Sequence, residues 1–282
     1  MPIVSFPYKP EHLAFCDKPV WVSATDGDTP TLQFPIRMLG IDAPELHYEG
    51  AIATTPGKYD APFSAFLTAG GKDLDDGLKQ YLAKKLIINA CTRHIAAGQA
   101  SFEHFEALAQ KRLARKGKNG KPLTPRHLFV MVAEEVFDRH RRMLAYVNGV
   151  YEKNEREAIP ESKRPTFNLQ MLQAGQAVSL LIYPNIPKPA DLELVQTAVY
   201  KARTTNKGFW KGPDNLLLPY EFRWIIDTIK GTRTGPDRYC ADISTGKLYQ
   251  PQQYYKVLPE SRLFFYATDL VEALKMNFQL VP

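Results

Sequence analysis

With 282 residues, 44% of them hydrophobic and 23% charged, the chain holds enough apolar material for one large domain or two smaller ones and is not disordered in composition. A balance of 36 Lys and Arg against 30 Asp and Glu leaves a net charge of +6, which suits a polyanionic partner without identifying one. No charge-free window reaches the length of a bilayer crossing, and no basic start precedes an apolar run at the N-terminus, so neither a membrane span nor a secretory leader is expected, and the expected location is cytoplasmic.

Prolines at 2, 7, 10 and 19 make residues 1–19 an irregular arm. Val20 to Thr25 reads as a strand that enters Asp26-Gly27-Asp28-Thr29, a tight-turn sequence, and returns along Thr31 to Arg37 as a hairpin. The return strand runs into Arg-Met-Leu-Gly-Ile-Asp-Ala-Pro-Glu, residues 37–45, where Met38, Leu39 and Ile41 have buried-strand character and three charges surround them. Arg37 and Asp42 are an odd number of positions apart and would face opposite ways on an ideal strand; a bulge at Gly40 returns them to one face. Asp28 and Asp42 then end neighbouring strands, a disposition that suits a hard divalent cation. The plainer alternative is two solvated turns.

Residues 47–70 read as loop. Helical spacing follows over 74–83 and again from Phe102 to Leu113. The basic run from Lys111 to Lys121 is either a solvated surface or a phosphate-facing loop. His127 to Val136 and Met143 to Val147 are strands, and Asn148-Gly149 signals a second hairpin. Between those strands lie Asp138, Arg139, His140, Arg141 and Arg142, a charged tip or an anion-facing cluster. Phe167 to Ala177 has helix spacing with Gly175 as a stop, and Tyr183 follows in the apolar exit at 180–184. An amphipathic helix covers 191–205 and closes on Asn206 to Trp210. In the last 72 residues a helix at 219–229, a hairpin at 239–249 and a helix at 268–278 form a small α+β appendage with no motif that carries chemistry. Cys16, Cys91 and Cys240 form no disulfide framework or zinc pair.

Taken together, Asp26-Gly27-Asp28-Thr29, Arg37 with Gly40-Ile41-Asp42-Ala43-Pro44-Glu45, Asp138 through Arg142 with Leu144-Ala145-Tyr146, the Asn168 to Ala177 segment and Gly208-Phe209-Trp210 resemble the staphylococcal nuclease family in content and order. The resemblance covers roughly residues 20–46 and 129–210. It implies an α+β fold built on an OB-type five-stranded β-barrel with packed helices. The nuclease domain would span 20–210, with a helical insertion at about 47–128 and an extension at 211–282. The resemblance also implies a calcium ion held by Asp28, Asp42 and the carbonyl of Ala43, with Glu45 activating water and Arg37 and Arg142 gripping the phosphate. Arg139, His140, Arg141 and Tyr183 would contact substrate. The sequence departs from the family's Asp-x-Tyr-Gly-Arg at Asp138 to Arg142, where Arg141 stands for glycine and His140 for tyrosine. Two functions follow from these residues. One is a calcium-dependent endonuclease acting on DNA and RNA, preferring single strands and leaving 3′-phosphate ends, with no obligate protein partner. The other is a binding module on the same fold that has lost catalysis. Retention of Asp28, Arg37, Asp42, Glu45 and Arg142 together favours the first.

Overall fold

The computed structural model describes residues 19–117, 119–138, 140–211 and 216–282, so most of the N-terminal arm and Arg139 lie outside the described residues. The Asp-Gly turn forms its hairpin: β1 (Val20–Ala24) pairs antiparallel with β2 (Pro30–Gln33) as an exposed two-stranded ribbon. After Pro35 the chain continues as β3 (Ile36–Met38), breaks at Leu39-Gly40 and resumes as β4 (Ile41–Asp42). Gly40 has φ +70, the left-handed region open to a residue without Cβ, and this is the kink that the Arg37–Asp42 spacing calls for.

The stretch that follows β4, expected as an insertion, is more helical than its sequence suggests. It holds α1 (Asp60–Ala65), α2 (Asp76–Ala83), α3 (Ala90–Leu113) and a small hairpin of β5 (Arg115–Lys116) and β6 (Pro122–Leu123). Residues 60–65, expected as loop, are α1. Helix α3 begins twelve residues before Phe102, because Asp60 supplies its N-terminal partner from outside. The Asp60 carboxylate accepts from the backbone N–H of Cys91 at 2.8 Å and of Thr92 at 3.2 Å, satisfying donors that a helix start leaves open.

Next come β7 (Leu128–Phe137), β8 (Met143–Gly149), α4 (Lys153–Ala158), α5 (Phe167–Gln173), β9 (Val178–Ser179), β10 (Leu181–Ile182) and α6 (Pro189–Thr204). Strand β8 lies between β3, to which it is parallel, and β7, to which it is antiparallel. Asn148-Gly149 is not a turn but the end of β8. Gly149 pairs with Leu128, while the Asn148 side chain accepts from Arg112 and donates to the Arg164 carbonyl, so tertiary bonds replace the local turn. Helix α5 ends as expected at Gly175, whose φ is +67, with Gln176 N–H donating to the Met171 carbonyl and Gly175 N–H to that of Leu172. A Cβ on Gly175 would lie 2.3 Å from the Lys207 carbonyl, so this glycine also admits the turn through Gly208 that closes α6.

The C-terminal part comprises α7 (Pro219–Ile229), β11 (Tyr239–Asp242), β12 (Lys247–Tyr249), β13 (Arg262–Phe265), α8 (Leu270–Lys275) and β14 (Gln279–Leu280). Its five-stranded sheet, in the order β10-β13-β11-β12-β14, takes its first strand from the preceding region. Helix α7 shares one apolar core with α1, α2 and α3: Phe63, Leu78, Leu82 and Ile95 pack with Phe222, Trp224, Ile225 and Ile226. The fold is mixed α+β. Among the described residues the first two hundred positions form a ribbon, a three-stranded sheet and short ladders, and no ladder closes into a five-stranded barrel.

Candidate active site

The kink at Gly40 turns Asp42 inward, where its side chain has no solvent exposure. A lone buried carboxylate is costly, and this one is held by two guanidinium groups. Arg37 Nη2 donates to Asp42 Oδ1 at 2.8 Å and to the Ile41 carbonyl at 3.3 Å. Arg223 forms the matching fork from the far end of the sequence, Nη1 to Oδ1 at 3.0 Å and Nη2 to Oδ2 at 2.7 Å. The same Nη1 also donates to Glu45 Oε1. Glu45 keeps 23% of its side chain exposed, and among the described residues no protein donor reaches its Oε2.

Two helices fix Glu45. The backbone N–H of Glu45 donates to Nε2 of His94 on α3 at 3.0 Å, so this ring is neutral with its proton on Nδ1. Gly98, one turn along the same face, lets the Glu45 backbone touch the helix: a Cβ there would lie 2.2 Å from the Glu45 carbonyl oxygen. His94 in turn stacks on Phe222 of α7, with ring centroids 3.8 Å apart and planes 5° from parallel. Helices α3 and α7 thus meet at the residue that holds the Glu45 backbone.

The charges follow from this packing. Burial pushes Asp42 toward its neutral form, but Arg223 and Arg37 outweigh it and hold the group below its ordinary value of 3.8. Glu45 lies above its ordinary value of 4.5, because burial and the Asp42 charge exceed the pull of Arg223. Burial, then the Arg223 charge, push His94 down to about 3. Arg223 is raised by the two carboxylates despite burial.

The other expected site residues make contacts of their own. Asp28 lies in the exposed ribbon turn and accepts from the Thr29 hydroxyl at 3.1 Å. Ala43 is half-buried beside Asp42. Arg142 forms its own bidentate pair with Asp138, at 2.9 and 2.7 Å, and the same carboxylate accepts the backbone N–H groups of His140 and Arg142. Arg141, in the position where the family has glycine, has φ +59, the conformation that glycine serves there, and is exposed, as is His140. Tyr183 stacks on Phe265 with centroids 5.5 Å apart. Among the described residues no group of three or more His, Cys, Asp or Glu side chains could hold a metal ion.

Sequence reasoning missed Arg223 and His94. A signal for Arg223 was present: Tyr220, Phe222, Trp224, Ile225 and Ile226 flank Glu221 and Arg223 on α7, so both charges border a buried apolar face and need charged partners there. Glu221 finds Lys85 at 2.9 Å, and Arg223 finds the acids.

Residues 35–212 match the family described as staphylococcal nuclease homologue. The endonuclease YhcR of Bacillus subtilis (strain 168) is 30% identical over 145 residues, covering 51% of this chain. The chain spans about a tenth of that relative's length. With the match extending over more than half its residues, the chain belongs to the staphylococcal nuclease family.

Proposed function

We propose that the chain is a nuclease that hydrolyses phosphodiester bonds in DNA and RNA, acting as an endonuclease with a preference for single strands. The observation that carries this reading is Glu45, with one carboxylate oxygen held by Arg223 and the other left to solvent beside a cluster of guanidinium groups. In the proposed reaction a water oxygen attacks phosphorus, Glu45 takes the water's proton, and the bond to the 5′ oxygen breaks. That oxygen then takes a proton, leaving a 3′-phosphate and a 5′-hydroxyl. Arg37 and Arg142 stabilise the charge that gathers on the equatorial oxygens. Arg139, His140 and Arg141 meet the flanking phosphates, and Tyr183 is assigned to base stacking.

The calcium ion implied at Asp28, Asp42 and Ala43 does not fit the cluster as folded. Both oxygens of Asp42 accept from guanidinium, and a cation there would meet the Arg223 charge. Trp21 and Val22 of β1 and Phe129 and Met131 of β7 all expose apolar side chains. We assign these faces to closure of the five-stranded barrel, which would carry the ribbon and Asp28 toward Asp42.

The test is cleavage of labelled single-stranded DNA, duplex DNA and RNA by the wild type and by Glu45→Gln, with added calcium, added magnesium or chelator. Cleavage by the wild type that Glu45→Gln abolishes supports the reading. Equal rates in the two remove Glu45 as the base, and no cleavage under any condition favours the binding module.

A further inference from the structure

A cavity of about 170 Å³ is bounded by α2, the end of α6 with the turn that closes it, and the segment that leads into β13. Its walls are aromatic and apolar: Tyr81 stacks with Tyr255, centroids 5.6 Å apart, and Phe209 lies against Trp210 at 4.6 Å. An apolar cavity of about 150 Å³ accommodates a benzene ring, so this one has room for a single flat ring.

Three cations also line it, and two are matched. Lys85 Nζ meets Glu221 Oε2 at 2.9 Å, and Arg203 Nη2 meets Glu260 Oε1 at 2.6 Å. Arg262, only 2% exposed, has neutral partners instead. Its Nε donates to the Val257 carbonyl at 2.8 Å and its Nη1 to the Tyr220 hydroxyl. Among the described residues no carboxylate lies within ion-pair distance of Arg262, and its Nη2 makes no hydrogen bond. A guanidinium this deep without a counter-charge is costly. Trp210 adds a further donor, since its buried Nε1 has no hydrogen-bond partner among the described residues. Inorganic phosphate alone would leave the aromatic walls uncovered, and a neutral ring would leave the guanidinium unpaired.

We propose that this cavity binds a small organic anion, its flat ring against the aromatic walls and its carboxylate or phosphate on the Arg262 guanidinium. Arginine presents a planar fork that suits either group. An aromatic carboxylate and a mononucleotide share this chemistry. The cavity has no lining residue in common with the Asp42–Glu45 cluster, and the proposal stands whether or not the chain cuts nucleic acid.

The experiment is calorimetric titration of the full chain with benzoate, thymidine 3′-monophosphate, thymidine and inorganic phosphate. One of the first two should bind one-to-one, at least about tenfold tighter than thymidine and inorganic phosphate, which each carry half of the recognition. Tighter binding of benzoate identifies an aromatic carboxylate as the occupant, and tighter binding of the nucleotide a mononucleotide. Arg262→Met should weaken that complex by at least about tenfold. Should this variant fail to fold by circular dichroism, Leu258→Trp carries the test: Leu258 lines the cavity yet is 57% exposed, so a larger side chain there fills the mouth and should also block binding. No binding of either anion at millimolar concentration, equal binding of thymidine and its 3′-monophosphate, or a complex that the folded variants leave unchanged overturns the proposal.

Discussion

The two clusters of acid and arginine, one at Asp138–Arg142 and one around Asp42, are built in opposite ways. At Asp138–Arg142 the acid and its arginine are four residues apart, share one turn, and leave the Arg142 side chain 38% exposed. At Asp42 the acid is fully buried, and its arginines come from five residues upstream and 181 residues downstream. The first cluster exists wherever the turn forms. The second exists only when the β3–β4 segment, α3 and α7 are all folded. A local ion pair is a surface feature worth little to stability, whereas a buried pair drawn from distant segments makes the site a reporter of the whole fold.

That contrast can be broken by mutation. The largest effect is expected at Asp42→Ala, which strips Arg37 of its carboxylate partner and leaves Arg223 with Glu45 alone; urea unfolding should show a loss of about 3–5 kcal/mol. Glu45→Gln keeps the volume and should unfold near the wild type, yet slow cleavage by about 10²–10³. Gly98→Ala pushes a methyl into the Glu45 backbone and should cost about 1–3 kcal/mol, with activity falling in step. Arg142→Ala should cost less than about 1 kcal/mol of stability while still reducing cleavage, which would separate grip from scaffold. A stability loss at Arg142 comparable to that at Asp42 would erase the distinction between the two clusters.

The same contrast has a pH signature. Asp42 is held below 3.8, so its contribution to stability is fully present above that pH and is lost as pH falls through its lower folded value. Glu45 is raised above 4.5, so the neutral acid is favoured in the fold and the base becomes available only at higher pH. The acid limb of kcat/KM should therefore lie above 4.5, and a limb at or below that value would exclude Glu45 as the base.

Much of this was legible from residues alone. The Asp26-Gly27 hairpin, the kink at Gly40, the glycine stop at 175 and the α7 span follow from local rules of φ, periodicity and capping. Arg37, Asp42 and Glu45 stood out because charges inside an apolar strand need partners. Arg223 did not stand out, because a single arginine in a helix ordinarily reads as a solvated face, and its partners lie 181 and 178 residues away. The first half of α3 was obscured by Gly98 and Ser101, poor helix formers retained where the Glu45 backbone and the Gln176 carbonyl approach. Asn148-Gly149 misled for the converse reason: a strong local preference gave way to strand pairing with Leu128 and two tertiary hydrogen bonds of the Asn148 side chain.

The kink at Gly40 depends on one further residue, and on its chemistry rather than its size. The buried Asn168 side chain accepts from Val147 N–H at 3.0 Å and donates to the carbonyls of Leu39 at 2.9 Å and Ala145 at 3.3 Å. One amide thus reads an N–H and a C=O of β8 together with a C=O at the break between β3 and β4. Aspartate lacks the donors, leucine lacks both functions, and glutamine carries an extra methylene into a closed space. No other amino acid can say the same thing at this position, so the place where the chain leaves the sheet toward Asp42 and Glu45 is specified by a side-chain vocabulary of one word.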